Sequence, residues 1–115
     1  ERQVESNGDG TGEFIWPRRL WLKAVCGDDL FVELYFDGVA FGTMIVQVPQ
    51  ELQNTAAKLL VPIPRNYKGR IPRCVITSCE PFFPYWVEFE RRETRAASGK
   101  PPVRYDIQFG GQVPV

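Results

Sequence analysis

At 115 residues and 43 % hydrophobic content the chain has room for one domain with a real core, which excludes a disordered segment and a disulfide-dependent miniprotein. Fourteen basic residues balance fourteen acidic ones, so overall charge selects neither nucleic acid nor an acidic partner. No apolar run approaches the roughly 20 residues that span a bilayer as a helix, and no signal-peptide pattern opens the chain.

Residues 1–13, "ERQVESNGDGTGE", are polar and Gly-rich, and read as a flexible N-terminal linker. The folded domain is expected over 14–115, starting at Phe14 or Ile15. The polar start without Met gives the expectation of a piece of a larger protein. "RRLWLKAVC" alternates: Leu20, Leu22, Ala24 and Cys26 share one face, with Trp21, Lys23 and Val25 on the other. "GDD" reads as a turn. In Leu30–Phe36 the residues Leu30, Val32, Leu34 and Phe36 form an unbroken apolar face. Asp37-Gly38 follows, and then "VAFGTMIVQV". Asp-Gly between two strand-like runs predicts a two-residue hairpin, because a type I′ turn needs positive φ at both central residues.

"PQELQNTAAKLL" (49–60) is the one segment with helical spacing, in Leu52, Ala56, Leu59 and Leu60. "LLVPIP" reads as a brief edge strand, since prolines exclude it from a central ladder. "RNYKG" is a loop, and "RCVITSC" is β-branched and strand-like. In "EPFFPYWVEFERR" the strand is expected to begin near Tyr85, after Pro84, with Tyr85, Val87 and Phe89 inward and Trp86, Glu88 and Glu90 outward. Residues 93–102 form a loop. "VRYDIQF" alternates again, with Val103, Tyr105, Ile107 and Phe109 inward. Six or seven short strands and at most one short helix predict an all-β antiparallel sandwich of the immunoglobulin-like kind.

The chemistry is bounded by what is missing. The chain has no His, so it has no imidazole base and no Ser-His or Cys-His pair. A structural zinc usually takes four Cys or His ligands, and the three cysteines alone do not complete one. "GDGTG" lacks the acid spacing of a calcium loop. No phosphate-cradling glycine motif is present. Asp28-Asp29 and the pair Glu88 and Glu90 are the carboxylate pairs on offer, the latter about 7 Å apart on one strand face. Alternating Glu on an outward face is ordinary solubility. The reading therefore includes no enzyme activity, no cofactor and no metal. Cys26, Cys74 and Cys79 are odd in number and no N-glycosylation sequon occurs, which suits free thiols and an intracellular compartment, cytoplasm or nucleus.

Two surfaces remain as candidates. Phe82, Phe83 and Trp86 are the expected anchors for a protein partner, since aromatic residues and Arg are enriched at interface hot spots. The alternative is nucleic acid, held by "RNYKGRIPR": Arg65, Lys68, Arg70 and Arg73 on phosphates, with Tyr67 stacking on a base and Arg91, Arg92 and Arg95 in support. The bases are unevenly placed, ten of the fourteen lying after residue 37. Finally, "YDIQFGGQVPV", the last eleven residues, resembles the closing strand of filamin-type immunoglobulin-like repeats, in which a Tyr-x-Ile-x-aromatic-Gly-Gly run precedes a proline. The rest of the chain does not follow that pattern, and the resemblance implies only a β-sandwich.

Overall fold

The computed structural model describes residues 2–7, 14–92, 99–107 and 112–114, with side chains over 14–92 and 99–107. Nine strands occur among them: β1 (Arg2–Asn7), β2 (Pro17–Cys26), β3 (Leu30–Phe36), β4 (Val39–Val46), β5 (Ala57–Val61), β6 (Pro72–Ser78), β7 (Phe82–Arg91), β8 (Val103–Asp106) and β9 (Gln112–Pro114). They form a five-stranded sheet in the order β4-β3-β6-β1-β9 and a four-stranded sheet in the order β5-β2-β7-β8. Each pairing is antiparallel. The domain is thus all-β, with two antiparallel sheets packed face to face.

The period-2 faces do what their patterns dictate. Leu20, Leu22, Ala24 and Cys26 of β2 meet Leu30, Val32, Leu34 and Phe36 of β3 across the core, all buried. Burying each large side chain contributes about 1.5–3 kcal/mol. Gly27, Asp28 and Asp29 do not close a hairpin; they carry the chain from one sheet to the other. Asp29 braces that crossover, its carboxylate accepting the Val48 N–H at 3.0 Å and its carbonyl accepting the Ser78 hydroxyl at 3.1 Å.

The Asp37-Gly38 hairpin is present as expected. Asp37 has φ 54° and Gly38 φ 78°, and Phe36 pairs with Val39 around them. The Asp37 carboxylate also accepts the N–H groups of Arg70 (3.2 Å) and Ile71 (2.9 Å), and the Asp37 N–H donates to the Ile71 carbonyl at 2.9 Å. The turn is therefore tied to the loop before β6.

Several expectations are corrected. Arg2–Asn7, read as part of a linker, is strand β1 between β6 and β9. Its backbone supplies the pairing, which a polar composition does not forbid. The helix expected over 49–60 is a 3-10 turn at Gln50–Leu52 followed by strand β5. Ala57, Leu59 and Val61 alternate inward, and a segment so short has too little helix to nucleate. β5 lies at a sheet edge, as the prolines after it require. Strand β7 starts at Phe82, three residues before Tyr85. The closing run is split between β8 and β9 on opposite sheets, and Phe109 lies outside the described residues.

Tyr67 differs most from its sequence reading. It leaves a polar loop and enters the core, with no exposed surface. Its ring lies 4.5 Å from Phe36, 5.3 Å from Phe41 and 6.3 Å from Phe89, which spans both sheets. Its hydroxyl donates to the Tyr35 carbonyl at 3.5 Å and lies 3.9 Å from Cys74 Sγ. It cannot stack on a base.

Two stability changes check this fold. Gly38→Val should lower stability by about 1–3 kcal/mol, because a β-branched residue resists positive φ while nothing crowds the site. Gly38→Asn should keep most of it, and urea midpoints at constant slope report both. Tyr67→Ala should cost about 3–5 kcal/mol by leaving a cavity between the sheets, and Tyr67→Phe about 1 kcal/mol or less. A Tyr67→Ala loss under about 0.5 kcal/mol would place the ring at the surface.

Candidate functional site

The aromatic stretch lies at the middle of the four-stranded sheet, on β7 between β2 and β8. Lys23 pairs with Trp86 and Ala24 with Pro84, so Tyr85 is an extra residue, a β-bulge. The bulge resets the alternation. Phe82 and Pro84 point inward and are buried, while Phe83 and Tyr85 point outward at 39 % and 40 % exposure. Trp86 is half-buried on the same outer side. Pro84 is tolerated inside β7 for two reasons: it sits at the bulge, and β8 pairs with β7 only from Trp86 to Phe89.

Phe82 is therefore corrected from partner anchor to core residue, opposite Cys26. Tyr85, expected inward, takes its place outside. The Phe83 and Tyr85 rings lie 5.0 Å apart, and Lys23 Nζ is 5.8 Å from the Tyr85 ring. Val25 pairs with Phe83 and extends the apolar area. Trp86 is covered in part by the Arg104 guanidinium, 4.1 Å from its ring.

Beyond Trp86 the same face becomes ionic. Arg104 donates twice to one Glu88 oxygen, at 3.1 and 2.7 Å, and Lys58 lies 3.9 Å from the other. Glu90 pairs with Arg18 and Arg19 and accepts the Trp21 indole N–H at 3.2 Å. Both carboxylates are thus engaged by cations. Their partners are about half exposed, so each pair adds at most about 1 kcal/mol.

The basic segment divides. Lys68 and Arg70 are exposed and turn toward the segment that leads into β2: Lys68 Nζ lies 4.8 Å from the Trp16 ring and Arg70 lies 5.9 Å from the Phe14 ring. Arg92 joins them at 4.9 Å from Trp16. Arg65 contributes its carbonyl, which accepts the Trp16 indole N–H at 3.1 Å. Arg73 is elsewhere, on β6, half-buried and 4.9 Å from the Tyr35 ring. Gly69 and Ile15 exchange two backbone hydrogen bonds of 2.7 and 3.0 Å that hold the two segments together. A Cβ on Gly69 would lie 2.8 Å from Phe36 and 2.7 Å from the Asp37 carboxylate, so the approach needs glycine. Arg95 lies outside the described residues. Sequence reasoning missed Phe14 and Trp16. The signal was there, two aromatics in "FIWP" at the end of the polar lead-in.

The three cysteines are free. Burial pushes the Cys74 thiol up to about 12 and also raises Cys26, which feels Asp29 as well. Cys79 is exposed just past β6, not within a strand as expected. Among the described residues no three Cys, Asp or Glu side chains gather as a metal-binding group. No helix among them is long and apolar enough to cross a membrane. No family model matches the chain, and no match to it is found among curated proteins or solved structures.

The thiols make a prediction. Native protein should take one alkyl adduct, on Cys79, and denatured protein three without reductant. A single adduct in denaturant would reveal a disulfide. Because Cys74 holds its proton above the ordinary 9.0, its contribution is full below about pH 9 and is lost as pH rises toward 12. Stability should therefore fall in that window, and Cys74→Ala should flatten the fall.

Proposed function

We propose that the domain is a non-catalytic protein-interaction module on an immunoglobulin-like sandwich, docking through Phe83 and Tyr85 with Val25 beside them and Trp86 at the rim. One observation carries this reading: the bulge at Tyr85 turns two large rings out of a sheet whose other outward positions are mostly ionic. Bulges often re-aim side chains at functional sites. The rings are fixed to a central strand, so little entropy is lost when they dock. Three free thiols suit an intracellular protein.

The second reading is nucleic-acid binding at Phe14, Trp16, Lys68, Arg70 and Arg92. It is favoured by three cations gathered over two exposed rings. Protein docking ranks first because those cations already cover the rings a base would need.

The test compares wild type with Phe83→Ala/Tyr85→Ala in affinity capture from extract with and without nuclease treatment, followed by titration of the captured protein. Truncating an aromatic anchor is expected to weaken binding about thirtyfold, for about 2 kcal/mol, with the unfolding midpoint little changed. Capture that disappears with nuclease and falls steeply with salt would support the second reading instead.

A further inference from the structure

Among the described residues four strands lie at sheet edges, and three are blunted. β5 carries Lys58 and runs into Pro62 and Pro64; β8 has four residues with Arg104 and Asp106; β9 has three and includes Pro114. Charge, proline, shortness and β-bulges are the usual devices that keep edges from pairing. β4 has only the last of these, in its first half. It runs for eight residues, and no charged residue occurs from Gly38 to Gln50. It approaches β5 of the other sheet without pairing to it. A bulge at Phe41 bends its first half, and Gly42 to Val46 then run in regular register with β3.

The outer side of this edge is also apolar. Ile45 is 54 % exposed and pairs with the exposed Phe31, and Val39 is 58 % exposed at the hairpin. Met44 and Val46 point the other way, toward the core.

We infer that β4 pairs antiparallel with β4 of a second copy of this chain, joining two five-stranded sheets into one. A two-fold axis at Met44 keeps every side chain on its own face. Thr43 of each copy then lies opposite Ile45 of the other, both outward, and Met44 meets Met44 inward. Ile45 and Phe31 of one copy continue into the outer face of the next. β4 itself holds no charge, so self-pairing brings no like charges directly opposite each other, whereas a charged peptide would find there only Glu33 of β3, which already accepts the Tyr35 hydroxyl. The surface is distinct from Phe83 and Tyr85, which lie on the other sheet. A one-strand seam is smaller than the roughly 1,200 Å² of stable specific interfaces, so the dimer dissociates at about 10–1,000 µM.

Sedimentation equilibrium from about 1 µM to about 1 mM tests this. The mass of the wild type should rise toward twice the monomer. Thr43→Lys/Ile45→Lys and Thr43→Glu/Ile45→Glu should each weaken dimerisation at least about tenfold, because both place like charges opposite each other. An equimolar mixture of the two should dimerise again. Both positions are solvent-facing, and Thr43→Lys alone serves as a milder variant, with circular dichroism verifying the fold. A wild type that stays monomeric to about 1 mM overturns the inference. So does a dimer that the substitutions leave intact, or variants whose mixture fails to recover.

Discussion

The inward turn of Tyr67 is the contact on which the rest of the molecule is arranged. One ring from a polar loop touches Phe36 and Phe41 from one sheet and Phe89 from the other. It thereby fills the end of the sandwich that strands alone leave open. The loop is drawn in with it, which brings Gly69 onto Ile15 and Arg70 and Ile71 onto the Asp37 carboxylate. The hairpin, the segment before β2 and the approach to β6 are consequently coupled through a single buried side chain. Its hydroxyl, pushed well above the ordinary tyrosine range by burial, stays neutral inside.

The same inward turn organises the surface. With Tyr67 committed to the core, Lys68 and Arg70 face out and settle over Trp16 and Phe14. A basic segment that looked like an open phosphate cradle becomes an aromatic-cation cluster with partners of its own. The outward aromatic area arises instead on the opposite side of Phe89, where the bulge in β7 exposes Phe83 and Tyr85. The outward aromatic area and the basic cluster thus sit on different structural supports, a sheet face and a clamped loop.

Strands β2 and β3 and the Asp37-Gly38 turn were readable because period-2 burial and positive φ leave direct marks on residue choice. The crossover at 27–29 was not, since a polar turn looks the same whether it closes a hairpin or changes sheets. β1 was hidden because its pairing rests on backbone groups, which every sequence carries. The bulge left one mark, a proline inside an aromatic run, and the reading took it for a strand start. Tyr67 left none. It stands alone among four bases with no periodicity, and only the shape of the gap between the sheets selects it. Of the three proposed anchors only Trp86 was given a face by alternation, and it lies outward; Phe82 and Phe83 were read as a loop before the strand and instead lie within β7, Phe82 inward and Phe83 outward.

Native-state hydrogen exchange tests the role of Tyr67 most directly. If the buried ring holds the loop to the sandwich, the Gly69 and Ile15 amides exchange only through global opening, with protection matching Val32 and Leu34 in β3. Tyr67→Ala then collapses protection at Gly69 and Ile71 before it affects β2. Protection at Gly69 near that of an exposed loop in the wild type, with β3 fully protected, would contradict this account.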